Sequence, residues 1–181
     1  SERARPRSSR SQATKPERLR YGPEREFVME LNDLLSLEGV VPALRAQSKK
    51  QVLQELAAKA ASLTGHPERE IFDTLLHRER LGSTGLGDGI AIPHGKLVPL
   101  NKIVGVFARL DRPVDFDALD DEPVDLVFLL LAPEGAGADH LKALARIARV
   151  LRDGETAAKL RASRDPAALY ALLTHPSASV E

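Results

Sequence analysis

Residues 78–96 read R-E-R-L-G-S-T-G-L-G-D-G-I-A-I-P-H-G-K. Four glycines, at 82, 85, 87 and 89, fall within eight positions, with Ser83, Thr84 and Asp88 among them. Glycine adopts positive φ without strain and lets backbone N–H groups approach a ligand, so successive N–H groups here can form an anion-binding nest. The run has neither the P-loop spacing nor a GxGxxG that opens a helix. Residues 89–92 then read as a short strand, ending at Pro93-His94-Gly95. Pro93 directs the chain, Gly95 leaves the imidazole uncrowded, and strand ends are where α/β proteins place ligand sites. A histidine with one ring nitrogen held by a backbone carbonyl presents the other as a nucleophile. With an ordinary pKa of about 6.5 it is largely neutral near pH ~7. A phosphoryl group on it would bring a charge of roughly −2, which needs compensation nearby. By spacing alone, a lone histidine beside glycines is more often structural or solvated, so two readings stay open.

Outward from this stretch the pattern alternates between helices and strands. Ser48-Lys49-Lys50-Gln51 is a capping box, and Val52, Leu53, Leu56, Ala60 and Leu63 recur at helical spacing until Gly65. Pro67-Glu68 suits a first helical turn, with Ile71, Phe72, Leu75 and Leu76 as the apolar stripe of a helix running out at Gly82. Residues 103–108 and 124–131 are nearly continuous apolar runs rich in β-branched and aromatic residues, the mark of strands covered on both faces. Between them, the acidic residues 111–122 with Pro113 read as a loop with a short edge strand. Asp139 is the expected N-cap of a helix carrying Leu141, Leu144, Ala145, Ala148 and Leu151 and closed by Gly154. Asp165-Pro166 caps a last helix with Leu169, Tyr170, Leu172 and Leu173. Helices before, between and after central strands indicate a layered α/β domain.

At 181 residues the chain suits one domain. It has no cysteine, which excludes disulfides, thiolate metal sites and cysteine nucleophiles. No apolar run approaches the roughly 18 residues a membrane helix needs, and residues 1–28 carry no apolar signal region, so a cytoplasmic protein without membrane insertion is expected. The net charge of zero hides an asymmetry: residues 1–28 hold eight Arg or Lys against four Glu. That segment is rich in Ser and Pro and nearly free of large apolar residues, so it reads as a basic, disordered extension, with a nucleic-acid arm as the functional alternative. The single methionine, Met29, opens the first patterned segment, and the folded domain is expected over residues 29–181.

The motifs together resemble the IIA domains of the bacterial phosphoenolpyruvate phosphotransferase system, of the mannitol/fructose type, and within that type the nitrogen-regulatory branch. The matching residues are Arg78-Glu79, Gly82-Ser83-Thr84-Gly85, the run from Gly89 to Lys96, Phe116-Asp117-Ala118, Pro123-Val124-Asp125-Leu126, Ala132-Pro133 and His140-Leu141. The likeness spans about residues 29–174, with Asp88 standing where the family commonly has Asn. It implies an α/β fold with a mixed central β-sheet flanked by helices on both faces. It implies that His94 accepts the phosphoryl group, with Arg78 and His140 as partners and Gly82, Ser83, Thr84, Gly85 and Gly95 as candidate phosphate-binding positions. Arginine offers a planar fork for phosphate oxygens, and His140 near a helix N-terminus stands where anions are favoured. The charge of Asp88 would weaken phosphate affinity slightly. No cofactor and no metal are implied.

The implied donor is an HPr-like phosphocarrier charged by enzyme I. The implied role is regulation of target proteins by phosphorylation state; family targets include potassium-transport regulators, sensor kinases and stringent-response enzymes. Two alternatives accompany it: a stand-alone sugar-specific IIA passing phosphate to a IIB domain, and a metal-dependent hydrolase built on His94, His140 and an Asp such as Asp88. No HExxH pair supports the hydrolase. His66, His77 and His175 read as bystanders, and no nucleic-acid partner is expected.

Overall fold

In the computed structural model, which describes residues 29–175, the chain runs β1 (Val40–Leu44), α1 (Lys49–Thr64), α2 (Glu68–Leu81), β2 (Gly85–Gly87), β3 (Ile90–Ala91), β4 (His94–Leu97), β5 (Val104–Val114), β6 (Val124–Pro133), α3 (Ala138–Arg152), α4 (Gly154–Ala162) and α5 (Pro166–Thr174). The basic segment 1–28 lies outside the described residues. The six strands form one mixed sheet in the order β1-β5-β6-β3-β2, with β4 also on β6. β1 runs parallel to β5, β5 antiparallel to β6, and β3 and β4 both parallel to β6.

β6 shows why the sheet is covered twice. Its side chains alternate between two cores: Val127, Leu129 and Leu131 join Val52, Leu53 and Leu56 of α1 and Ile71 and Leu75 of α2. Leu126, Phe128 and Leu130 join Ala143 and Ile147 of α3, Leu160 of α4 and Leu169 and Leu173 of α5. The continuous apolar run is therefore two interleaved stripes, each facing its own helical layer.

The caps obey the local signals. Ser48 Oγ accepts from Gln51 N at 3.2 Å, and Gln51 Oε1 reaches back to Gln47 N at 2.8 Å, one residue before the cap. Gly65 closes α1 with φ +78°, and Asp165 caps α5 through Ala168 N.

Several expectations are corrected. Residues 111–114 belong to β5 rather than to a loop. The β5–β6 register is irregular between Arg109 and Val114, so Pro113 removes no regular ladder hydrogen bond there. α3 begins at Ala138 with Gly137 as N-cap, and Asp139 is its second residue. The buried stripe of α3 is His140, Ala143, Ile147, Val150 and Leu151, whereas Leu141 is 69% exposed. Gly154 opens α4 instead of ending a helix, because Asp153 caps the new start by accepting from Thr156 N at 3.1 Å and Thr156 Oγ1 at 2.7 Å. β1 carried no expectation; Pro42 interrupts its short apolar run.

Candidate functional site

The glycine-rich stretch is a hairpin, not an open loop. β2 pairs antiparallel with β3, and Asp88 (φ +56°) and Gly89 (φ +78°) form the turn. Two successive positive φ angles give the primed turn that tight hairpins favour, and Asp-Gly is a preferred sequence for it. Asp88 thus occupies a turn position ahead of β3, with its N–H on Asp120 and its carbonyl on Arg161.

His94 does not end a strand; it begins β4. β3 and β4 read as one strand interrupted at Ile92-Pro93, both aligned on β6, with His94 opposite Leu130. Pro93 cannot donate to the ladder, but its carbonyl accepts from Leu130 N at 2.9 Å. The interruption lets His94 Nδ1–H donate to the carbonyl of Ile92, two residues back, at 2.8 Å. That bond sets the tautomer and leaves Nε2 with its lone pair. Gly95 has a packing role: a Cβ there would stand 2.6 Å from Thr74 Cγ2, so its absence lets α2 pack closely on β4.

α2 ends beside this histidine. Arg78 Nη1 donates to the carbonyl of Gly82 at 3.0 Å, just past the helix end. The next residue, Glu79, is 5% exposed and its carboxylate is filled by three donors: Thr84 N at 3.0 Å, Thr84 Oγ1 at 2.6 Å and Lys49 Nζ at 3.3 Å. Lys49 also bridges to Asp117 at 3.0 Å, and Ser83 Oγ–H donates to the carbonyl of Phe116. The Ser83 and Thr84 hydroxyls are therefore engaged within the protein, and Gly85 N–H bonds Ser83 Oγ at 3.0 Å. Residues 82–85 brace α2 against residues 116–117. Glu79 and Lys49 had no assigned role in the sequence; the available signal was that Glu79 adjoins Arg78 within the same motif.

From the other face of the sheet, α3 brings in His140 as its third residue. The two imidazoles meet edge to face, with centroids 5.6 Å apart and an interplanar angle of 80°. His140 is 9% exposed, and its Nε2 has no hydrogen-bond partner. Burial holds His94 below the usual imidazole range; the Ile92 carbonyl opposes this, the Arg78 charge adds to it, and the Glu79 charge opposes it. Burial likewise lowers His140, helped by the charges of His94 and Lys96. Both rings are thus biased toward the neutral form at neutral pH.

His94, His140 and the charge of Arg78 converge on one locus. His66 Nε2 instead meets the carbonyl of Pro99, and His77 and His175 are exposed. Three large apolar side chains close to the site residues in sequence are exposed: Leu81 (73%), Val98 (58%) and Leu141 (69%). Among the described residues no group of three or more His, Asp or Glu could hold a metal ion, so the hydrolase alternative has no ligand set there. No helix among them is long and apolar enough to cross a membrane.

Residues 33–175 match the family model "Phosphoenolpyruvate-dependent sugar phosphotransferase system, EIIA 2". A "Nitrogen regulatory protein" of Bradyrhizobium diazoefficiens is 66% identical over 151 residues, covering 83% of this chain and 99% of that protein. Its namesake in Escherichia coli K12 is 43% identical over 153 residues, covering 82% and 92%. The crystal structure of the nitrogen regulatory protein IIA-Ntr from Neisseria meningitidis superposes with a TM-score of 0.76 at 35% identity, covering 80% of this chain and 99% of that one. The hairpin, the paired imidazoles and these likenesses converge: the chain belongs to the EIIA 2 family of the phosphoenolpyruvate-dependent sugar phosphotransferase system, in its nitrogen-regulatory branch.

Proposed function

We propose that His94 Nε2 accepts a phosphoryl group from the phosphohistidine of an HPr-like carrier, and that the phosphorylated and free forms engage regulatory targets differently. The observation that supports it most is the His94 Nδ1–H···O=C bond to Ile92, which leaves Nε2 as a neutral nucleophile. In the transfer, the Nε2 lone pair forms the new N–P bond as the donor's N–P bond breaks. The donor imidazole keeps that electron pair, and Nδ1 of His94 keeps its proton throughout. Phosphoryl transfer through a loose transition state asks for alignment and charge stabilisation more than for covalent help. Arg78 supplies a guanidinium fork, and a proton on His140 Nε2 supplies a donor that has no partner inside the protein. Ser83, Thr84, Gly82, Gly85 and Gly95 act as scaffold for this constellation.

In this reading the exposed Leu81, Val98 and Leu141, each near a site residue in the chain, supply the apolar part of a docking face. A phosphoryl charge of roughly −2 in its midst penalises desolvation and repels acidic partners, which is enough to switch binding. Targets among potassium-transport regulators, sensor kinases or stringent-response enzymes fit such a cytoplasmic switch. Incubation with phosphoenolpyruvate, enzyme I and HPr, followed by mass spectrometry, should find one acid-labile phosphate on His94 and none on His94→Ala. Phosphate on another residue, or undiminished labelling of His94→Ala, would overturn the reading. Onward transfer to a IIB domain with sugar uptake would assign the chain to sugar transport instead.

A further inference from the structure

At the opposite end of the sheet three arginines contact one carboxylate and a fourth follows it in the chain. Asp111, in the second half of β5, contacts Arg45 at 3.5 Å, Arg109 at 3.3 Å and Arg164 at 3.3 Å. Asp111 and Arg109 are largely enclosed, with side chains 15% and 14% exposed, whereas Arg45 and Arg164 are 89% and 69% exposed. The neighbouring Arg112 is exposed and makes no ion pair among the described residues. Arg109 is anchored from below, donating Nε to the carbonyl of Arg161 at 3.0 Å and Nη1 to that of Pro42 at 3.4 Å. Above this base lies a cleft of about 560 Å³, lined by Arg45, Gln47, Gln51, Asp111, Arg112 and Arg164.

Three features make the cleft more than a solvated face. Its lining is net positive: Arg45, Arg112 and Arg164 face the single lining carboxylate, Asp111. Two of its three lining guanidinium groups, those of Arg45 and Arg164, are oriented by the same carboxylate, Asp111. Its volume falls in the range of small-molecule sites, about 300–1,000 Å³. Gln51 spends its carbonyl oxygen on Gln47 N, so its amide group remains a donor. Guanidinium forks match phosphate oxygens in pairs, and a lining excess of two positive charges matches a di- or triphosphate chain better than a single carboxylate.

We infer that this cleft binds a small anion carrying a phosphate chain, at a site separate from His94. The separation is set by the register: His94 and Gly105 both stand beside Leu130, and Asp111 lies six residues farther along β5, about 20 Å away along the strand. The site does not depend on phosphorylation of His94, so it stands or falls apart from the proposed function.

The test is calorimetric titration of the full chain with inorganic pyrophosphate, a nucleoside triphosphate and inorganic phosphate at an ionic strength of about 0.15 M. One saturable site is expected for the first two, with phosphate weaker by at least about tenfold. Equal affinity for pyrophosphate and nucleotide shows that the phosphate chain alone is read, and tighter nucleotide binding adds a contact to the base. Arg112→Ser, which removes no ion pair or hydrogen bond among the described residues, and the pair Arg112→Ser/Arg164→Ser should each weaken binding, the pair by about tenfold or more, with unchanged circular dichroism. Amide NMR shifts should cluster at residues 43–51, 109–113 and 162–166. Heat without saturation, affinity unchanged in the double variant, shifts centred on His94, or stronger binding of a poly-glutamate peptide would overturn the assignment.

Discussion

Two buried polar side chains near the α2 end of the sheet are handled in opposite ways. Glu79 has three donors from its own chain, two from Thr84 and one from Lys49. His140, equally enclosed, leaves Nε2 with none. Buried polar groups are normally satisfied, and leaving one open costs stability. The contrast separates the scaffold from the candidate site: Glu79 completes its bonding on folding and fixes the α2 end, while His140 keeps Nε2 unpartnered beside His94. Arg146 Nε is also without a partner, but its guanidinium is tied to Glu30 at 3.0 Å, so it does not stand open in the same way.

The largest effect should come from breaking the satisfied member. Glu79→Ala leaves Lys49 and the Thr84 N–H without their shared acceptor, and urea unfolding should show a loss of about 3 kcal/mol. A loss under about 0.5 kcal/mol would mean that the network is not structural. Next is Arg78→Ala, which should slow phosphoryl transfer to His94 by about a hundredfold, measured by rapid-quench labelling, with little change in stability. A smaller effect tests the open member directly. His140→Leu removes an unpartnered polar atom, so stability should stay within about 0.5 kcal/mol or rise, while transfer slows by about tenfold. If His140→Leu destabilises as much as Glu79→Ala, the contrast between the two groups collapses.

The smallest effect is on pH dependence. The folded pKa values of His94 and His140 lie below the unfolded value of 6.5. At a pH near or below 6.5 the unfolded chain therefore binds more protons than the folded one, and stability rises with pH there. The contribution is fully present above that value and is lost as pH falls toward the folded pKa values. Thermal melting from pH 8 to pH 5 should show a decline that is shallower in His94→Ala. An equal decline in that variant would remove the basis for a neutral acceptor.

The sequence reached further for some elements than for others. α1, α2 and α5 announced themselves through Ser48, Gly65, Pro67 and Asp165, because capping depends on chemistry between residues three or four apart. β6 was legible because both of its faces are apolar. β1 and the end of β5 were not, since Pro42 and Pro113 contradict a strand unless the irregular pairing that accommodates them is known. Asp153-Gly154 reads equally as a helix end and a helix start, and here it is both. For α3, the expected stripe began at Leu141; docking on the sheet instead buried the neighbouring stripe that contains His140 and turned Leu141 outward.

Within the site the division is similar. Residues 78–96 singled out His94 but left its role open by spacing alone, and the resemblance to the family implied both that role and the partnership of Arg78 and His140. Only the tertiary structure decided that the glycine run forms a hairpin, that Gly95 exists to admit Thr74, and that Glu79 locks to Lys49 and Thr84. Caps, turns and apolar runs are set by near neighbours and survive in a linear reading. The meeting of an imidazole on β4 with one on α3 depends on strand order and helix docking, which belong to the packed chain as a whole.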